Sequence, residues 1–152
     1  METKQFKLAA LLKLRENKEK VAQRELGEQF QVQNKLMTQK THWTDVSERL
    51  HAKAGTYIKG DLDVNQIQSL QRYHKTVVAE LESVEEKLVA VEHTIEVKKE
   101  ALRDALKDRK ILENLKEKYQ EQWINAQKVI EQQRLDEVVS YRYMISQEVK
   151  HG

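Results

Sequence analysis

The sequence predicts an all-α fold, a long antiparallel two-helix coiled-coil hairpin whose second helix is longer than the first. Apolar residues recur at alternating steps of three and four through two long stretches, the spacing that keeps one stripe of a helix facing a partner helix. The pattern breaks once, where Gly55, Gly60, Asp61 and Asp63 cluster. A content of 34% charged residues, no proline, four glycines and 6% aromatics suits a fold that buries one stripe per helix better than a compact globule.

The first helix is expected over about residues 3–56, on a stripe of Leu8, Leu12, Ala22, Leu26, Leu36, Trp43, Leu50, Ala54 and Tyr57. Polar residues occupy several stripe positions: Arg15, Glu19, Gln29, Gln33 and Lys40. Phe30, Met37 and Val46 lie one step to the side and could substitute for them. A turn over about residues 57–62 follows, and Asp63 stands three residues before Gln66 as in a capping box, so it should begin the second helix.

The second helix, about residues 63–147, has the stronger pattern. Ile67, Leu70, Val77, Leu81, Val84, Leu88, Val91, Ile95, Leu102, Ala105, Leu112, Tyr119, Trp123, Ala126 and Ile130 hold one register for about nine heptads, interrupted by His74, Lys98, Arg109 and Lys116. Acids precede bases by three residues at Glu96 and Lys99, Glu100 and Arg103, Asp104 and Lys107, and Glu113 and Lys116, marking a solvated face. The heptads predict a left-handed supercoil.

At about 1.5 Å per residue, a first helix of about 50 residues spans roughly 75 Å and a second of about 80 spans roughly 120 Å, so the two cannot match end to end. With the turn near Gly60, Leu8 should lie opposite the neighbourhood of Lys110. The segment from about Lys116 onward is then left without an intramolecular partner. It carries Tyr119, Trp123, Ile130, Val138, Val139, Tyr141, Tyr143, Met144 and Ile145, an apolar stripe that needs a cover. A foreign protein is the expected cover; a second copy of the chain, or a frayed tail, is the alternative.

A formal charge of +2 over 27 basic and 25 acidic residues argues against nucleic acid as a partner. No apolar stretch near the amino end approaches the roughly 18 residues of a membrane span, so no direct membrane insertion is expected. The lack of cysteine and of a leader-like segment predicts a cytoplasmic protein.

No catalytic centre, cofactor or metal site is expected. His42, His51, His74, His93 and His151 include no pair three or four residues apart on one helical face, and no cysteine completes a zinc site. Carboxylates sit beside lysines on solvated faces, where nothing sets one apart as acid and another as base. A phosphate-cradling glycine loop is absent from the sequence.

The amino-terminal run from Phe6 to Leu8 and from Leu11 to Glu16 resembles the opening of the FliJ family, small stalk and chaperone proteins of the flagellar type III export apparatus. Leu26 with Gly27, the glycine-bearing turn, the segment Leu70 to Tyr73, the run Arg109 to Lys118 and Leu135 to Glu137 are similar to that family too, covering nearly the whole chain. The resemblance implies a non-enzymatic two-helix coiled coil. Its termini would enter the ring of the hexameric flagellar export ATPase and promote ring assembly and activity. Its turn end would approach the cytoplasmic domain of the membrane-embedded export gate, and it would bind export chaperones. It also implies peripheral association with the inner face of the membrane at the flagellar base.

Carried over by position, the ring-facing surface would be Phe6, Leu8, Leu12 and Arg15 with Leu112, Leu115, Tyr119 and Trp123. The export-gate surface would be Gln39, Trp43, Val46 and Leu50 with Leu70, Tyr73 and Val77. For Trp43 and Tyr73, packing in the helix seam is the competing role. The chain departs from the family's commoner pattern at Val46 or Leu50, where tyrosine is usual, and at His74, where an apolar residue is usual. A generic holdase or adaptor without an ATPase partner is the second hypothesis; it would bind many clients through adaptable seams.

Overall fold

The computed structural model describes residues 6–58, 60 and 63–151. Two helices account for nearly all of them: α1, Ala9–Ile58, and α2, Val64–His151, of 50 and 88 residues. They pack against each other as a hairpin, and no strand occurs among the described residues.

The expected start of the first helix near residue 3 lies outside the described residues. Within them, Phe6 to Leu8 form a non-helical lead-in, and the first helical contact is Ala9 N–H donating to the Phe6 carbonyl at 3.0 Å. At the other end α1 runs on through Gly55 to Ile58. Gly55 has open space where a Cβ would stand, and no described glycine has a left-handed φ. A helix tolerates such a glycine at a cost of about 0.5–1 kcal/mol relative to alanine, which seam packing offsets.

Asp63 is the N-cap of α2. Its backbone carbonyl accepts from Gln66 at 3.1 Å and Ile67 at 3.2 Å, while its carboxylate accepts from the Asn65 amide at 3.1 Å. The side chain thus satisfies the second amide of the helix, one residue earlier than the capping-box spacing to Gln66 suggests. Asp63→Ala is expected to lower stability by about 0.5–2 kcal/mol, read as a lower melting temperature, with helix content at low temperature preserved.

The chain divides into two compact units, residues 1–18 with 105–152 and residues 19–104. In the second unit, the pairs Glu25 with Lys98 and His51 with His74 run in opposite order along the two helices, as an antiparallel pair requires. Its core is the predicted stripe. Ala22, Leu36, Leu50, Val77, Val84 and Ile95 are buried, and Leu26, Trp43, Leu70, Leu81, Leu88, Val91 and Leu102 are half-buried. Of the side-lying residues only Val46 turns partly inward, while Phe30 and Met37 are exposed. Glu19, Gln29 and Gln33 keep their half-buried seam places, and Lys98 reaches Glu25 at 3.1 Å. This pair remains partly solvated and contributes about 0–1 kcal/mol.

In the first unit Leu12 and Leu112 are buried, Arg15 meets Asp108 at 3.5 Å, and the rings of Phe6 and Tyr119 lie 5.9 Å apart. These pairs correct the expected register. Leu8 falls nearer to Tyr119 than to Lys110, because α1 continues to Ile58 and α2 begins at Val64, which moves the pairing axis beyond Gly60. The partnered part of α2 therefore extends past Lys116.

Two of the surface ion pairs read from spacing form, Glu96 with Lys99 at 3.5 Å and Glu100 with Arg103 at 3.0 Å. Glu113 instead takes Arg109, at 2.6 Å one turn earlier. That choice follows from burial: Arg109 occupies a half-buried seam position where its charge needs a close acceptor, and Lys116 is exposed to water.

Candidate functional site

Each of the two residue sets falls within one unit. Phe6, Leu8, Leu12, Arg15, Leu112, Leu115, Tyr119 and Trp123 belong to the first, and Gln39, Trp43, Val46, Leu50, Leu70, Tyr73 and Val77 to the second. Within each set, burial separates residues that can meet a partner from those that hold the seam.

In the first unit Leu12 and Leu112 are enclosed, so they position the surface rather than form it. Leu8 and Leu115 are exposed, Arg15 is engaged with Asp108, and Tyr119 packs on Phe6. Trp123 is half-buried. Every residue from Ile124 to Lys150 is exposed, including Ile130, Leu135, Val138, Val139, Tyr141, Tyr143, Met144, Ile145 and Val149. This stretch carries a run of exposed apolar side chains beyond the seam, and it begins after Trp123 rather than at Lys116.

Along it, Ile130, Val138, Tyr141, Ile145 and Val149 share one helical face with Arg134. Their mean step is roughly 3.8 residues, whereas the seam repeats every 3.5. A partner helix wound like α1 would drift off such a stripe. The tail of α2 is suited to a cover of different geometry.

In the second unit Val46, Leu50, Leu70 and Tyr73 line an open groove of about 820 Å³, together with Arg49, Lys53 and Gln66. Tyr73 is exposed and Leu50 is buried at the floor. Val77 is only 1% exposed, so it reaches a partner only if the helices separate. Trp43 is half-buried, its ring 5.2 Å from that of the neighbouring His42, and Gln39 is exposed. Sequence reasoning overlooked Arg49 and Lys53, whose positive charges border the groove. Their spacing of four, each one residue before a seam position (Leu50 and Ala54), was the available signal.

Among the described residues no group of three or more His, Cys, Asp or Glu could hold a metal ion. No described helix is long and apolar enough to cross a membrane. The chemistry on offer is association: exposed aromatic and aliphatic side chains on helices, with a basic rim at one groove.

Compared with known proteins, residues 3–148 match the family model described as Flagellar FliJ protein. No curated protein and no solved structure matches the chain.

Proposed function

For this chain, which belongs to the FliJ family and is thus a flagellar export-related protein, we propose a non-enzymatic role as the stalk of the export ATPase. It binds the hexameric ATPase ring through the unit that carries both termini and promotes ring assembly and activity. Through the groove near the turn it contacts the cytoplasmic domain of the export gate, and it escorts export chaperones. The observation that carries this reading is the tail of α2, where residues 124–150 are exposed and large apolar side chains recur. Aromatic and aliphatic anchors of this kind dominate the energetics of protein interfaces once a partner excludes water from them.

A two-helix hairpin lacks sixfold symmetry, so its binding makes the subunits of a ring inequivalent. By linkage, if the stalk favours ring assembly, the assembled ring binds the stalk more tightly than single subunits do. The chain needs no reaction of its own for this; differential affinity is sufficient.

The gate contact is tested at Tyr73, the exposed aromatic of the groove. Tyr73→Ala is expected to weaken binding of the purified gate domain by about 2 kcal/mol, roughly thirtyfold, and to leave ATPase binding intact. Equal loss of both partners would mean that Tyr73 supports the helix pair and is not a gate contact.

A further inference from the structure

We propose that His51 and His74 form a two-imidazole site for a divalent transition metal that clips α1 to α2 near the turn. The two rings come from different helices, with centroids 5.7 Å apart and planes at 72°. Zinc binds imidazole nitrogen at about 2.0–2.1 Å, which places the ion about 3.2 Å from each ring centre. Two imidazoles sharing one ion then have centres about 5 Å apart at a tetrahedral angle and about 6.4 Å apart when opposed. The observed separation lies within that range, and the rings must turn out of their present edge-to-face contact for a nitrogen of each to face one ion.

The backbone beneath both ligands is fixed before a metal arrives. His51 follows the buried Leu50, and His74 precedes the buried Val77 by one turn, so seam packing holds both helices in place. Both histidines are exposed, which leaves the remaining coordination positions to water or to a carboxylate of a docked protein. No third His, Cys, Asp or Glu of the described residues joins them, so the site is an open clip and not a closed structural zinc centre. Imidazole suits zinc, copper and nickel, whereas magnesium and calcium prefer oxygen.

The test uses the full chain, titrated with zinc chloride by calorimetry and melted with and without zinc. One zinc ion per chain is expected, raising the melting temperature by about 5–10 °C at a hundredfold excess over the dissociation constant. His51→Ala and His74→Ala should each weaken binding about a hundredfold, because the second nitrogen binds at the high effective concentration set by the first. His93→Ala should bind as the parent does, and magnesium chloride should have no effect. The proposal is overturned by absence of zinc binding, by affinity that survives both substitutions, or by a stoichiometry of one zinc per two chains.

Discussion

Replacing Tyr141 and Ile145 together by alanine is expected to weaken binding of the export ATPase ring by about 2–4 kcal/mol, roughly 30- to 1,000-fold, while the melting temperature stays unchanged. Both side chains lie on one face of the α2 tail, at 66% and 42% exposure, so the isolated chain loses little packing when they are shortened. In a complex the same atoms would be desolvated, and truncating them removes that gain. Trp123→Ala is a less clean probe. The ring is half-buried in its own unit, so its loss is expected to lower both ring affinity and thermal stability. A tail role is refuted if the double substitution leaves ring affinity as it was.

Val77→Asp is expected to open the hairpin at its turn end. Val77 is 1% exposed, so the substitution removes apolar burial and places a carboxylate where water cannot reach it. The cost is several kcal/mol, on the order of 3–5, which corresponds to a fall in melting temperature of roughly 10 °C. Hydrogen exchange should accelerate most in the backbone around residues 67–84, near the lost contact. Gate binding should fall with it, as a consequence of the opened seam. If melting and exchange were unchanged while gate binding vanished, Val77 would be a contact residue and its enclosed position would be wrong.

The seam of α2 was legible because its chemistry is local: Val77, Val84, Ile95 and Leu112 repeat at coiled-coil spacing, and all four are buried. On α1 the stripe was harder to read, since Glu19, Gln29 and Gln33 occupy seam positions at half burial while the more apolar Phe30 and Met37 stay in water. Long polar side chains can cover the seam with their stems and keep their heads solvated, so polarity alone does not remove a residue from it. The register depended on where the helices end. α1 runs to Ile58 and α2 starts at Val64, so the pairing axis lies beyond Gly60 and Tyr119 gains Phe6 as a neighbour.

The candidate surfaces were legible as regions but not as side chains. Spacing put Val77 and Tyr73 close together on α2, yet Val77 turns into the seam and Tyr73 out to the groove. The pairing of His51 with His74 could not be read from a scan of single-helix spacings, because it needs the antiparallel register to bring two helices together.

The most direct measurement of the proposed role is the steady-state ATP turnover of the purified flagellar export ATPase, titrated with this chain and with the Tyr141 and Ile145 double variant. A saturable rise in turnover with the parent chain, accompanied by a shift of the ATPase to hexamers and lost in the variant, is the predicted result. Turnover and oligomeric state unchanged at saturating parent chain would contradict the stalk role.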